Sequence, residues 1–271
     1  MQRTARVTPQ GSARTLVRAR AAMGQAGAPT LYTHVLCPYA HRAWLAMLEK
    51  GIDFNMRHVD LSNKPADLLR VNPRGLVPAV EHDGSVVVES ADIVQWVDDT
   101  FAGPPLTPED AAAAAAMRDL IDGPLGRVQS AGFSLMAGST GRYWGIGSGQ
   151  TSAHWESFVA SLKPLADSLE RHGGPFLVGA HPTVADILVY PFLERFDVAA
   201  QGMMGFDVRA DDVHGGAVGR WMDAMAARPS SGVASPDRAL LLRAFERHKS
   251  LDFFDYEAYG EFDLHPHNKR A

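Results

Sequence analysis

A glycine followed by two prolines, Gly103-Pro104-Pro105, divides this chain into two parts of different character. Before this break, short apolar runs suited to strands alternate with segments of helical spacing, in the order β-α-β-α-β-β-α. Strands are predicted at 31–36, 54–59, 77–80 and 85–88, and helices at 38–50, 64–71 and 90–101. A β-α-β start followed by a hairpin predicts a small mixed sheet with helices packed on it.

Beyond the break, helical patterns replace strand patterns. Thr107 is predicted to cap a helix that has Pro108 at its first position, and Gly123-Pro124 is expected to kink or interrupt the helical stretch. Further helices are predicted at 152–172, 183–199, 215–228 and 236–249, with a glycine-rich loop at 138–149. The fold class is therefore α/β plus all-α, with an α/β domain at 29–102 followed by an all-helical domain at 106–250.

The two ends of the chain differ in composition from these domains. Residues 1–28 hold five arginines and no lysine or acidic residue. This pattern is typical of an organellar transit peptide, and the alternative is a flexible leader without an address. Residues 251–271 interleave aromatic and acidic side chains, which disfavours plain disorder. We expect this tail to pack on the helical domain or on another subunit, with partner docking as the alternative.

Composition restricts the classes of function. Of the 271 residues 46% are hydrophobic, the formal net charge is −5, and the only cysteine is Cys37. These values favour a packed intracellular protein with no membrane span and no nucleic-acid partner. One cysteine excludes an intramolecular disulfide and a zinc site built on paired thiolates, and no metal is expected. The predicted compartment is the cytoplasm, or a plastid or mitochondrion if residues 1–28 are a transit peptide.

The candidate catalytic residue is Cys37, at the turn from the first predicted strand to the first helix. Pro38 suits the first helical position, so the thiol is expected at or beside the N-cap, where the helix dipole and free backbone N–H groups favour an anion. His34, His41 and Arg42 are near in sequence and are expected to add positive charge. The pattern predicts a nucleophilic cysteine of lowered pKa, and the alternative is an inert buried cysteine.

Two further positions indicate a ligand site. Pro78 stands where a strand is predicted to begin, and a cis Val77–Pro78 bond in a tight turn accounts for that position; a trans proline at a sheet edge is the alternative. Ser90 is predicted to be the N-cap of the helix at 90–101, and a helix N-terminus binds carboxylates. Glu89 is suited to an ammonium group, so this pair is suited to the α-amino-acid end of a ligand. Taken alone, the pair indicates only a helix cap.

These residues together resemble the amino-terminal domain of cytosolic glutathione transferases, and most closely the cysteine-type omega and lambda classes. The resemblance is carried, in order and spacing, by Cys37-Pro38-Tyr39-Ala40-His41-Arg42, Asn63-Lys64-Pro65, Asn72-Pro73-Arg74-Gly75-Leu76-Val77-Pro78 and Glu89-Ser90. The second half is similar mainly at Thr183-Val184-Ala185-Asp186-Ile187, which resembles the capping box of that family's core helix.

The resemblance implies a thioredoxin-like βαβαββα domain followed by a helical bundle, with a glutathione site on the first domain. Cys37, followed by Pro38, is implied to form a mixed disulfide with glutathione. The other implied binding residues are Lys64 for the glycyl carboxylate, the backbone of Val77 placed by cis-Pro78 for the cysteinyl part, and Glu89 with Ser90 for the γ-glutamyl end. The family pattern also places Tyr143 and Trp144 near an acceptor pocket, with Tyr39 as a further candidate, and it is compatible with a homodimer.

The predicted activity is glutathione-dependent thiol exchange. A thiol is a poor hydrogen-bond donor to a bound thiolate, whereas a thiolate nucleophile favours exchange, and a single cysteine requires a monothiol route. The predicted acceptors are mixed disulfides, glutathionylated or small hydrophobic molecules and, from the resemblance, dehydroascorbate. Two alternatives stay open: conjugation of glutathione to electrophiles, with Tyr32 or Tyr39 supplying a hydroxyl, and a non-catalytic module that binds a ligand or a partner.

Overall fold

The computed structural model describes residues 27–140, 151–210 and 212–247, without the side chains of 138–140, 246 and 247. Three predictions lie outside the described residues. These are the arginine-rich leader except for its last two residues, the acceptor-pocket residues Tyr143 and Trp144, and the aromatic and acidic tail.

A four-stranded mixed sheet forms the centre of the first half. Its strands are β1 (Thr30–Thr33), β2 (Asn55–His58), β3 (Ala79–His82) and β4 (Ser85–Val88), in the spatial order β2-β1-β3-β4. β1 pairs in parallel with β2 and antiparallel with β3, so that Leu31 lies between Met56 and Val80. β3 and β4 form the predicted hairpin. The strand order and directions confirm the thioredoxin-like arrangement.

β1 is shorter than the apolar run that predicted it. The strand ends at Thr33, and the amide of Cys37 donates to the carbonyl oxygen of His34 at 3.0 Å, which closes a turn. Val35 and Leu36 are buried in this turn, where they pack against helices of the second half and not in the sheet. The apolar residues after Thr33 are therefore buried without being part of the strand, so the length of the apolar run overestimates the length of β1.

Three helices pack with the sheet: α1 (Pro38–Lys50), α2 (Ala66–Val71) and α3 (Ser90–Thr100). α1 has the predicted bounds, because Pro38 occupies its first turn and Gly51 follows its last residue with a φ of 70°. That φ lies in the left-handed region, where glycine carries no steric penalty. α1 thus begins directly after Cys37.

The second half contains helices, and no strand among its described residues. The helices are α4 (Ala111–Ile121), α5 (Pro124–Thr140), α6 (Thr151–His172), α7 (Val184–Ala199), α8 (Ala217–Ala226), α9 (Pro229–Ala234) and α10 (Arg238–Arg247), with a π-helical turn at Ala200–Met204 and a 3-10 turn at His214–Gly216. The expected interruption at Gly123-Pro124 is confirmed, since α4 ends before it. α9 was not predicted, and α5 extends into the predicted glycine-rich loop.

The segment between the two halves corrects one predicted cap. Asp110, not Thr107, is the N-cap of α4, and the Asp110 carboxylate accepts a backbone N–H at 2.8 Å. Thr107 lies before the helix, where its N–H donates to the Asp98 carboxylate at 2.9 Å. Asp98 also accepts from the N–H of Leu106 at 2.9 Å and from the Lys50 ammonium at 2.6 Å. One carboxylate on α3 therefore binds both α1 and the connecting segment.

α7 is the central helix of the second half and is buried along most of its length. Its predicted capping box is confirmed: the N–H of Thr183 donates to the Asp186 carboxylate at 2.8 Å. One large hydrophobic cluster continues from Leu31 in the sheet to Phe196 on α7. The domain limits of 29–102 and 106–250 stay predictions, because this cluster crosses them. None of the helices in the described ranges combines the length and apolarity that crossing a membrane requires.

Candidate active site

Cys37 is the N-cap residue of α1, as predicted. Its Sγ accepts a hydrogen bond from the N–H of Ala40 at 3.5 Å. The thiol also donates to the carbonyl oxygen of Val77, 3.8 Å from Sγ. Only 3% of the residue is exposed. The thiol therefore lies between the start of α1 and the segment that leads into β3.

The Val77–Pro78 peptide bond is cis, as predicted. The antiparallel pairing of β3 with β1 begins only at Ala79, which lies opposite Tyr32, so β3 begins two residues later than its apolar pattern suggests. Val77 consequently lies outside the β1–β3 pairing. Its carbonyl oxygen instead accepts from the Cys37 thiol.

The predicted lowering of the Cys37 pKa is wrong. Burial raises the pKa of the thiol above its ordinary value, and the Ala40 N–H together with the guanidinium groups of Arg195 and Arg42 only partly oppose that rise. The N-cap position acts in the expected direction. Removing the thiolate from water has the larger effect, and a sequence gives little information on that burial.

His41 does not supply the predicted positive charge. Its burial, with Arg195 beside it, holds the pKa of the imidazole well below 6.5, so it is neutral at physiological pH. Arg195 Nη1 lies 3.2 Å from His41 Nδ1, and because a guanidinium has donors only, Nδ1 is the acceptor. The positive charge near the thiol therefore comes from Arg42, which was predicted, and from Arg195, which was not.

Arg42 extends from α1 to the helical half. Its Nε donates to the carbonyl oxygen of Leu188 at 2.7 Å and its Nη1 to the Ser90 hydroxyl at 3.2 Å. The guanidinium carbon lies 4.5 Å from the ring centre of Phe192 and 5.3 Å from that of Tyr39. Burial lowers the pKa of Arg42 to about 10, so the group is a cation at neutral pH. Its partners are those that stabilise a buried guanidinium.

Glu89, not Ser90, occupies the N-cap position of α3. Ser90 is the first helical residue and is buried, and its hydroxyl oxygen accepts from Arg42. Glu89 has a φ of 64° and is exposed, with its carboxylate 2.7 Å from Arg74 Nη1. The two side chains predicted for the α-amino-acid end of a ligand are thus consecutive but differ in environment. One is held inside the protein and the other is accessible to solvent.

Lys64 lies on the surface beside the segment that carries Val77. Its side chain covers Gly75, where an added Cβ would be 2.6 Å from Lys64 Cδ. Gly75 has a φ of 63°, and its N–H donates to the carbonyl oxygen of Asn72 at 2.7 Å, which forms a tight turn. This close approach accounts for a glycine in the Asn72-Pro73-Arg74-Gly75 motif.

The tyrosines considered for a conjugating enzyme are both engaged with protein partners. Tyr39 lies between the two halves: its hydroxyl accepts from Gln129 Nε2 at 3.1 Å, and its ring packs edge-on against Phe192 with centroids 4.9 Å apart. The Tyr32 hydroxyl donates to the Glu81 carboxylate at 3.4 Å. These contacts place Tyr39 at the boundary between the halves and disfavour either hydroxyl as the partner of a substrate thiolate.

Sequence reasoning missed Arg195, Gln129 and Phe192. Gln129 and Phe192 carry no signal in the sequence, because their roles come from contacts with distant residues. Arg195 does carry one: Glu194-Arg195 interrupts the apolar segment 184–199. A helix that is apolar on all sides is buried, and charged residues within such a helix indicate buried ionic partners.

A cysteine at the N-cap of the first helix, a cis-proline segment beside its thiol and a helical second half define a two-part thioredoxin-like protein with a thiol site. The chain belongs to the glutathione S-transferase family. The model of the glutathione S-transferase N-terminal domain matches residues 36–100, and that of the C-terminal domain matches residues 111–224.

The relatives of this chain include plant L-type and animal omega glutathione S-transferases. Glutathione S-transferase L1 of Arabidopsis thaliana is 32% identical over 185 residues, which cover 67% of this chain and 72% of that protein. Glutathione S-transferase omega-1 of Sus scrofa is 27% identical over 190 residues, which cover 69% and 76%. The crystal structure of glutathione transferase Omega 3C from Trametes versicolor has a TM-score of 0.68 and 26% identity, and the match covers 84% of this chain and 96% of that chain.

Proposed function

We propose that the protein is a glutathione-dependent thiol transferase and reductase with Cys37 as its nucleophile. Membership of the glutathione S-transferase family supports glutathione as the co-substrate. The observation that supports thiol exchange is the position of Cys37 Sγ, at the N-cap of α1 and 3.8 Å from the carbonyl oxygen of Val77. A sulfur at this position has a backbone N–H donor, which stabilises a thiolate once the thiol is deprotonated.

In the first step, the Cys37 thiolate attacks the glutathione sulfur of a mixed disulfide between glutathione and an acceptor. A disulfide forms between Cys37 and glutathione while the bond between glutathione and the acceptor breaks. The acceptor leaves as a thiolate and takes up a proton. The proton that the Cys37 thiol gives up passes to solvent, and the Ala40 N–H continues to donate to the sulfur.

In the second step, the thiolate of another glutathione attacks the glutathione sulfur that is bound to Cys37. Glutathione disulfide leaves and the Cys37 thiolate is restored. The sequence contains one cysteine, so no second thiol of the chain can compete with this glutathione. For dehydroascorbate the same site uses two glutathione molecules, which supply two electrons and two protons and leave as glutathione disulfide.

Glutathione is proposed to bind along the segment between Lys64 and Ser90. The backbone of Val77, beside the thiol, suits the cysteinyl part. Glu89 is exposed and acidic, which suits the γ-glutamyl ammonium, and the Ser90 hydroxyl can donate its hydrogen to the γ-glutamyl carboxylate while its oxygen accepts from Arg42. Lys64 is an exposed cation that suits the glycyl carboxylate.

The test is the reduction of hydroxyethyl disulfide by glutathione, with the wild type and Cys37→Ser. Serine has nearly the shape of cysteine, but its hydroxyl is not ionised at neutral pH and supplies no thiolate, so we expect the activity to fall at least about a hundredfold. Glutathione binding, measured by calorimetry, should be retained. Equal rates in the two proteins would contradict the assignment of Cys37.

A wild type that binds glutathione without reducing the disulfide would overturn the reductase proposal. Two further measurements then separate the alternatives. Conjugation of glutathione to chlorodinitrobenzene by both the wild type and Cys37→Ser would identify a conjugating transferase. Binding of glutathione without either reaction would identify a binding module.

A further inference from the structure

Arg195 reaches the Cys37 turn from the helical half of the molecule. The residue belongs to α7 and is only 1% exposed. Its Nε donates to the carbonyl oxygen of Leu36 at 3.0 Å, and its Nη2 donates to that of Val35 at 3.2 Å. A third donor, Nη1, binds the carbonyl oxygen of Pro191 on α7 itself at 2.8 Å. The guanidinium therefore joins α7 to two consecutive peptide groups.

These two peptide groups directly precede Cys37. They lie after β1 and before α1, so neither the sheet ladder nor the helix fixes them. Within the turn, the Cys37 N–H donates to the carbonyl oxygen of His34 at 3.0 Å. The Leu36 N–H donates to His34 Nδ1 at 3.3 Å, and the Arg195 fork binds the carbonyl oxygens of Val35 and Leu36. A planar guanidinium with fixed N–H directions is well suited to hold two adjacent carbonyl groups at once.

The charged and titratable groups around this contact favour a cation at Arg195. Glu194, also on α7, has its carboxylate 3.3 Å from Arg195 Nη1. His41 on α1 accepts from Arg195 and is neutral. Among the described residues, the groups that act electrostatically on Cys37 include Arg195 from α7, and Arg42 and Tyr39 from α1. Both guanidinium groups favour the thiolate.

We infer that Arg195 is a positioning residue for the Cys37 thiol, because it holds the carbonyl groups of residues 35 and 36 and brings a positive charge to the thiolate from the helical half. This inference rests on the proposed function, in which Cys37 is the nucleophile, and it adds a residue that supports that role. The helical half thereby supports the reacting sulfur, in addition to any contact that it makes with an acceptor.

The experiment measures alkylation of Cys37 by iodoacetamide as a function of pH in the full chain. Because Cys37 is the only cysteine, the reaction reports a single thiol. The variants are Arg195→Gln, which removes the charge and the fork, and Arg195→Lys, which keeps a charge but not the fork. The matched control is Arg228→Gln. Arg228 also joins the two halves, through a 3.1 Å bond to Glu49, without contacting the turn.

In Arg195→Gln we expect a higher midpoint of the pH profile and roughly tenfold slower alkylation at pH 7.5, the change for about one unit of thiol pKa. Arg195→Lys should be about threefold slower, because an ammonium is a single point donor. Arg228→Gln should match the wild type. If the effect came from a general loosening of the contact between the halves, Arg228→Gln would slow alkylation as much as Arg195→Gln does, and this result would overturn the inference.

A folded Arg195→Gln with the wild-type profile would also overturn it. If Arg195→Gln does not fold, as judged by circular dichroism, Arg195→Lys decides: slower alkylation than the wild type supports the inference, and an equal rate overturns it. Failure of the proposed function gives a different result, since the Arg195 variants would then alter alkylation in a protein that reduces no disulfide.

Discussion

The Nη1 atom of Arg42 lies 3.2 Å from the hydroxyl oxygen of Ser90, inside the protein. Ser90 accepts in this bond, so its own hydrogen remains available to a ligand. The same guanidinium binds the carbonyl oxygen of Leu188 on α7 at 2.7 Å. The first residue of α3 is thus held by a cation that is itself held by the helical half.

Ser90→Ala tests the proposed contact with the γ-glutamyl carboxylate. A hydrogen bond to a charged group contributes about 1.5–3 kcal/mol, so we expect KM for glutathione to rise at least about tenfold. kcat should change little, because Ser90 is not at the reacting sulfur. Steady-state kinetics with varied glutathione give both values. Ser85→Ala, at an exposed serine on β4, is the control, and an equal change in the two variants would contradict the assignment.

The pH dependence of Cys37 reactivity follows from the burial of its thiol. Burial raises the pKa of Cys37 above its ordinary value of 9.0. The thiolate is the reactive form, so the rate of alkylation of the free protein should still increase about tenfold per pH unit between pH 7 and 9. A stopped assay with iodoacetamide measures this. A rate that levels off below pH 8 would show that the pKa is not raised.

Asp186 should be among the most sensitive positions for stability. Its buried carboxylate accepts from the N–H of Leu177 at 2.9 Å, from that of Thr183 at 2.8 Å and from Trp221 Nε1 at 2.7 Å. Asp186→Ala leaves these buried donors without their acceptor, so the free energy of unfolding should fall by about 4 kcal/mol. Urea denaturation measures it.

The control for Asp186→Ala is Asp237→Ala. Asp237 is an exposed acid whose carboxylate accepts from the N–H of Leu240 at 2.9 Å at the start of α10. Loss of an exposed cap costs about 1 kcal/mol. Similar losses in the two variants would show that burial of the Asp186 site contributes little.

The ion pair of Lys50 and Asp98 gives a second pH prediction. Burial opposes ionisation of Asp98, but the Lys50 ammonium and the backbone donors outweigh it and hold its pKa below the ordinary value of 3.8. A lowered pKa in the folded state means that this stabilisation is complete above pH 3.8 and is lost as the pH falls through the folded-state pKa. Asp98→Asn should lower the free energy of unfolding by about 3 kcal/mol at pH 7. That difference should shrink only below about pH 4 in urea titrations, and a constant difference down to pH 2 would contradict the assignment.

Gly132 on α5 tests the packing of the helical half. A Cβ at this position would overlap the ring of Phe196, so Gly132→Ala should lower the free energy of unfolding by about 2 kcal/mol. Gly126→Ala on the same helix meets no atom within 4 Å and should be neutral or stabilising by about 0.5 kcal/mol. Thermal unfolding of both variants checks the contrast, which vanishes if the core accommodates the extra methyl group.

Local rules predicted the features that local chemistry decides. The bounds of α1 follow from Pro38 and Gly51. Pro38 fixes φ in the first turn, and Gly51 adopts the left-handed conformation directly after the helix. The cis bond before Pro78 was likewise predicted from the position of one proline, and the capping box at Asp186 was predicted from a short motif that resembles that of the family. The predicted cap of α4 was wrong because Thr107 and Asp110 are both residues that commonly cap helices. The N–H of Thr107 donates to Asp98, which holds Thr107 in the connecting segment before the helix.

The parts that the sequence could not provide depend on distant contacts. The pKa of Cys37 depends on how completely its thiol is buried, and the thiol packs with apolar residues from separate segments of the sheet half, such as Leu68 and Ala79, which no local pattern indicates. The role of Arg195 depends on its reaching residues 35 and 36 from far along the chain. Ser90 was taken as a cap, whereas the partner that decides its role is Arg42, contributed by a different helix.

The carboxylate of Asp98 fixes the start of the segment that connects the two halves. It binds Lys50 on α1 and the N–H groups of Leu106 and Thr107 at the same time, so the chain leaves the sheet half in one direction. These contacts restrain the connecting segment at the point where it leaves α3. Loss of the Asp98 carboxylate would therefore release the connecting segment from α1 and α3 at the same time.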